Sequence, residues 1–309
     1  MLLFLRHIMA LSANTRGIIA TCIAMAGFVT NDTCIKLAAV DLPLGQLIAM
    51  RGVAALVFIV MLGFATGAIK TMPKLTDKAV GLRAVGEIGG TVLYYNALTQ
   101  IPIANANAVL QVIPLAVTAA AALILGEKVG WRRWLIVLVG FAGVMLIIQP
   151  GGDSFHPASL WALGAMFFMT LRDLSTRFID PKLPAISINI ITTGALMLVG
   201  FALAAFEPWV MLSVRSLVLI GLSAVLLTIA YLAITVAMRS GDVSVSSPFR
   251  YSIVVWALLI DLIIFGNRPE LSMLIGMGVV VASGIAMIVR EHRLKRTIKN
   301  GAAKPDAAS

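Results

Sequence analysis

The sequence predicts an all-α integral membrane protein with ten transmembrane helices in two inverted five-helix repeats, and three observations carry that reading. Of its 309 residues 60% are apolar and only 12% are charged, roughly half the charged share of an ordinary soluble domain. The apolar residues gather into blocks, each close to the 20 or so residues that cross a bilayer. None alternates polar with apolar as a membrane barrel strand does, so helices, which satisfy their own backbone groups, are the assignment.

Taken in order, the blocks fall at residues 17–38, 44–66, 79–99, 102–125, 131–149, 158–179, 184–206, 214–238, 243–265 and 270–290. Ten spans with short connections use most of this length, leaving little for any extramembrane domain. The opening MLLFLRHIMAL is short and lacks a small-residue cleavage site, so the first span rather than a cleaved signal is expected to direct insertion. Cys22 and Cys34 share that span at about 18 Å, too far for an internal disulfide.

The net charge of +10 reads as topology rather than as nucleic-acid binding, because basic residues sit between the apolar blocks and in the tail. With a cytoplasmic N-terminus the inside segments hold 17 Lys and Arg, whereas the outside loops hold only Arg215 and Arg268. That bias sets both termini inside.

At an offset of about 140 residues Gly126-Glu127 meets Gly266-Asn267 and Ala97 meets Ala237. Five helices per repeat is odd, so tandem copies must cross the membrane in opposite senses, related by an axis in its plane. The expected layout is a cytoplasmic segment 1–16, a first repeat 17–149, an external linker 150–157, a second repeat 158–290 and a basic cytoplasmic tail 291–309.

The informative residues are those that resist hydrocarbon, since a charge at mid-bilayer costs at least about 2.5 kcal/mol. Lys36, Arg51, Arg83, Arg172 and Arg250 lie inside spans, with Asp32, Glu87, Asp173 and Asp261. Helical spacing puts Asp32 and Lys36 on one face, with Lys36 free to snorkel outward. Arg51 falls at a depth similar to Asp32, so an ion pair between them is one expectation. Glu87 is either a static partner of Arg83 four residues earlier or a titrating group that couples proton movement. Arg172-Asp173 and Asp261 read as local or interface pairs rather than ligands.

Polar stripes mark four more helices. Arg83, Glu87, Gly90, Thr91 and Tyr94 align on the third, and Asn107, Gln111, Pro114 and Thr118 on the fourth. Thr228, Tyr231 and Thr235 align on the eighth, and Ser247, Pro248, Arg250 and Tyr251 on the ninth. One such stripe is ordinary interhelical hydrogen bonding; four together point to a polar cavity between the halves. The three histidines lie at loops or termini and no metal spacing or nucleotide loop occurs, so neither a cofactor nor direct ATP coupling is expected.

At YYNALTQIPIANANAVLQVIPLAVTAAAALILGEKVGWRRW, GFAGVMLIIQPG and SPFRYSIVVWALLIDLIIFGNRPE the chain resembles the EamA-type drug/metabolite transporters. FVTNDTCIKL with QLIAMRG is similar to the first two helices of bacterial members. The resemblance covers roughly residues 17–290 and implies ten helices in two inverted repeats. It also implies a bacterial inner membrane and a small-molecule substrate such as an amino acid, nucleobase, riboflavin or S-adenosylmethionine. Where the second repeat often carries Glu, this chain has Asn267, while Glu127 is placed to brace the basic turn that follows it.

The expected function is therefore secondary active transport by alternating access, with protons as the candidate coupling ion and a monomer or homodimer in the bilayer. Arg51, Arg250, Tyr94, Tyr231, Trp256, Asn107 and Gln111 are the candidate substrate contacts. Asp32, Lys36 and Glu87 are the candidate coupling or ion-pair groups. A passive channel is the alternative. A lipid-modifying membrane enzyme is a weaker one, since no clustered nucleophile or acid/base set occurs, and no catalytic residue is assigned.

Overall fold

The computed structural model describes residues 12–73, 77–127, 129–152, 155–240 and 242–302. Most of the expected N-terminal segment, the end of the tail, and the basic residues Arg6, Lys74, Lys128 and Lys304 lie outside the described residues.

All regular structure among the described residues is helical. We label the helices α1 (Ala13–Ala38), α2 (Leu44–Thr66), α3 (Lys78–Gln100), α4 (Ile103–Ile124), α5 (Trp131–Ile148), α6 (Ser159–Thr176), α7 (Ala185–Ala204), α8 (Val214–Arg239), α9 (243–263) and α10 (Leu271–Ala302). Side-chain oxygens of Ser12, Asp77 and Ser213 cap α1, α3 and α8 by accepting from their first-turn amides. α10 runs past the expected boundary at residue 290 into the basic tail.

Among the described residues seven helices are long and apolar enough to cross a membrane by length and composition alone. The other three are α3, α6 and α9. α3 carries Lys78, Arg83 and Glu87, and α6 carries Arg172 and Asp173 near its end. α9 is interrupted by a 3-10 stretch at Ser247–Tyr251 before its helical part, Ser252–Ile263. α4 is also broken, between Ile103–Leu110 and Ile113–Ile124. Pro114 has no N–H to give the carbonyl of Leu110, which is why the break falls there.

The helices pair as α1 with α8, α2 with α7, α3 with α6 and α5 with α10, while the broken α4 and α9 meet each other. Exchanging each helix with the one five places along converts this set into itself: α1–α8 becomes α6–α3, and the other pairs map onto themselves. The major interfaces thus join one half of the chain to the other. The repeat is also visible in detail. Gly126 and Gly266 both take left-handed φ, at 68° and 67°. The amide of Glu127 returns to the Ala121 carbonyl at 3.3 Å and that of Asn267 to the Asp261 carbonyl at 2.9 Å, the same C-terminal closure 140 residues apart. Glu127 pairs with Arg177, before α7, at 2.9 Å.

Close pairing rests on small residues, as expected where lipid gives no hydrophobic drive to helix association. At the α5–α10 crossing a Cβ on Gly276 would stand 2.7 Å from the backbone oxygen of Gly143, which cannot swing away. Gly276→Leu is expected to lower stability by about 1 to 3 kcal/mol through overpacking. Gly278→Leu, built where nothing lies within 4 Å, is its near-neutral control. Thermal melts of the two purified variants provide the comparison.

Candidate functional site

The interior polar groups fall into two clusters. The first joins α1, α3 and α4 near the end of the bundle that holds the 39–43, 101–102 and 264–270 connections. Asp32 is 8% exposed. Its Oδ2 accepts from the Tyr94 hydroxyl at 2.6 Å and from Asn107 Nδ2 at 3.3 Å, and its Oδ1 from Asn31 Nδ2 at 3.1 Å. Asn107 also donates toward the Tyr94 oxygen at 3.0 Å and the Ile103 carbonyl at 3.1 Å. The carboxyl is thus held by three neutral side chains from two helices besides its own, with no cation within 4 Å among the described residues.

Arg51 lies within electrostatic reach of Asp32 but forms no ion pair with it. Its guanidinium instead sits 5.1 Å from the centre of the Tyr95 ring, a cation–π contact. The donors to the Asp32 carboxyl oxygens are instead Tyr94, Asn107 and Asn31. Arg51 Nε and the Tyr95 hydroxyl are buried without a hydrogen-bond partner, so a donor and a hydroxyl are left over where α2 meets α3.

The second cluster lies toward the opposite end. Arg172 donates to Asp173 at 2.8 Å and reaches Glu87 at 3.4 Å. Arg83 does not pair with Glu87; it donates to Thr176 at 2.7 Å and to Asn189 at 3.1 Å. Packing of α3 on α6 explains the exchange, because it brings Arg172 to Glu87 and the end of α6 to Arg83. The Glu87 and Arg172 side chains each keep 25% of their surface accessible.

Lys36 does not reach Asp32 either. It donates to the Ile101 carbonyl and lies 5.3 Å from the Phe265 ring centre. Asp261, read from sequence as a local or interface residue, ties two interrupted helices together. Its two oxygens accept from the amides of Ile103, at 3.1 Å, and Ala104, at 2.7 Å, in the first turn of α4. A carboxylate there meets both the orphan amides and the positive end of the helix dipole.

Tyr231 on α8 packs edge-on against Phe28 at 5.4 Å and lies in the electrostatic field of Glu87, Arg172, Arg51 and Arg83. Gln111 is half-buried at the break in α4, Arg250 is exposed and Trp256 is 37% exposed; their side chains join none of the hydrogen bonds above. Tyr95, Asn31 and the bridging role of Asp261 were missed from sequence. The adjacency of Tyr94 and Tyr95 offered a signal for the first; for Asp261 the signal was the IPIAN segment, whose amides follow Pro102 and begin a helix without a side-chain cap of their own. Among the described residues no three His, Cys, Asp or Glu gather as metal ligands.

A riboflavin transporter of Vibrio cholerae is 30% identical over 227 residues, covering 71% of this chain and 74% of its own. An S-adenosylmethionine uptake transporter of Rickettsia bellii is 24% identical over 66% of this chain and 70% of its own. A solved crystal structure matches the fold with a TM-score of 0.59 at 20% identity, covering 87% of this chain and 98% of that one. The EamA-like transporter family matches twice, over residues 15–149 and 156–290. The doubled match, the self-mapping helix pairs and the two equivalent glycine closures lead to one conclusion: the chain belongs to the EamA-like transporter family.

Proposed function

We propose that the protein is a secondary carrier of a small polar organic metabolite, working by alternating access in a bacterial inner membrane with both termini cytoplasmic. The observation that supports it best is the one-sided accessibility of the interior. Asp32, Tyr94, Asn107 and Asp261 are buried toward one end, whereas Glu87, Arg172 and Asp173 keep a quarter or more of their side-chain surface accessible toward the other. A polar interior closed on one side and open on the other is what a carrier needs, and a continuous pore is not.

In this reading Arg51, Tyr95 and Tyr231 contact the cargo, the unpartnered guanidinium N–H and phenol supplying bonds to a carbonyl or anionic oxygen. Asp32, with Tyr94 and Asn107, is the proton-coupling group rather than Glu87, which Arg172 already pairs. Riboflavin and S-adenosylmethionine, carried by the relatives, are the first cargoes to try.

The test is counterflow in proteoliposomes preloaded with unlabelled compound. Saturable accumulation of label against its gradient supports a carrier, and conductance without exchange overturns it. Arg51→Gln is expected to raise the KM for transport about tenfold or more, the loss of a charge-assisted bond worth roughly 1.5 to 3 kcal/mol. An unchanged KM removes Arg51 from the contacts.

A further inference from the structure

A groove of about 520 Å³ opens where the later turns of α10 pass the beginning of α5, away from the polar clusters of the interior. Ile136, Ala282, Ala286 and Val289 line its apolar part, with Arg290 and Arg293 among its lining residues. From Ala282 to Arg293 is about 16 Å along the helix axis, so polarity is ordered along the membrane normal: apolar toward the bilayer centre, cationic toward its edge. Ala282 and Ala286, four residues apart and both exposed, leave the concavity.

The cationic end is reinforced from α5. Arg132 and Arg133 precede Ile136 by four and three residues, on the same helix face. Arg132 stacks on Trp131 at 5.4 Å, and Trp131 is 71% exposed, as an interfacial aromatic anchor would be. Within this end the Nε of Arg290 is buried with no hydrogen-bond partner. A buried guanidinium N–H without an acceptor is left unsatisfied unless a ligand supplies one.

We infer that this groove is a binding site for one anionic phospholipid, its acyl chain along Ala282, Ala286 and Ile136 and its phosphate at Arg290 and Arg293. The polarity order matches a lipid's own, and the arginines toward one end of the groove match its charge. A second copy of the chain fits less well. A parallel two-fold contact through this face would set Arg290 and Arg293 against their own counterparts at the same depth.

Native mass spectrometry of the intact purified protein tests this, with phosphatidylglycerol, phosphatidylcholine and inorganic phosphate as probes. Retention of one phosphatidylglycerol over phosphatidylcholine is expected, with affinity falling about tenfold or more in Arg290→Gln/Arg293→Gln. Ala286→Trp, which fills the apolar part and leaves the arginines, is expected to weaken retention independently, so a misfolded double variant does not decide the matter. Equal retention of both lipids, retention unaffected by either change, or phosphate binding as tightly as the lipid would each overturn the assignment. A dimer lost in Ala286→Trp while lipid retention is unchanged would assign the groove to a second copy instead.

Discussion

Asp32→Asn is expected to abolish transport driven by an imposed pH difference while leaving exchange of labelled for unlabelled cargo. The substitution keeps the volume and one acceptor oxygen for the Tyr94 hydroxyl 2.6 Å away but removes the carboxyl group to which the proposed function gives the proton. The surrounding donors are neutral side chains, and no cation lies within 4 Å among the described residues, so in the proposed role the carboxyl hydrogen bonds to Tyr94 and Asn107 are the ones that change with its proton. A residue required for exchange itself would lower both activities together. Proteoliposome uptake with and without a pH difference separates the two: pH-driven uptake that persists in Asp32→Asn sinks the coupling role. Asp32→Ala adds a stability penalty of about 1 to 3 kcal/mol by leaving buried donors unmatched.

The ten apolar blocks were legible because lipid forces long apolar runs, and their ends follow Pro, Gly and charge. The inverted repeat was legible at Gly126-Glu127 and Gly266-Asn267 because a left-handed glycine closing a helix leaves a local mark. Which polar side chains would meet was not. Periodicity gives the face a residue occupies on its own helix, and it put Asp32 and Lys36, or Arg83 and Glu87, together for that reason. The partners are decided by helix pairing. Arg172, 85 residues from Glu87 in sequence, takes the place of Arg83, whose position four residues before an acid is the weaker orientation for such a pair. Asp32 likewise takes its donors from Tyr94 and Asn107, at separations of 62 and 75 residues, while Arg51 lies on Tyr95.

For the proposed alternating-access cycle, this division sets which contacts would have to change. The accessible end holds its charges in salt bridges that keep surface exposed, as between Arg172 and Glu87. At the buried end Arg215 pairs with Asp41 on the rim at 2.8 Å, whereas Asp261 and Lys36 bond to backbone groups within it. Side chain to backbone bonds between helices can be exchanged one set at a time, provided the freed groups find water. The bonds made by Asp261 to α4 and by Lys36 to Ile101 are therefore the ones that opening this end would have to break.

Asp261→Asn is accordingly expected to loosen the buried end. The carboxylate accepts from two successive amides in the first turn of α4. An amide side chain offers one acceptor and turns its N–H₂ group toward the second donor. Bonds to a charged acceptor are worth roughly 1.5 to 3 kcal/mol each, so losing one shifts the balance toward an open end about tenfold or more. Cys34 supplies a native reporter: it lies on α1 between Asp32 and Lys36 and is 4% exposed. In a Cys22→Ser background, Asp261→Asn is expected to speed labelling of Cys34 by a membrane-impermeant maleimide added from the side of the 101–102 connection, about tenfold, with a lower melting temperature. A lower melting temperature without faster labelling would make Asp261 a brace for α4 alone, with no part in closing that end.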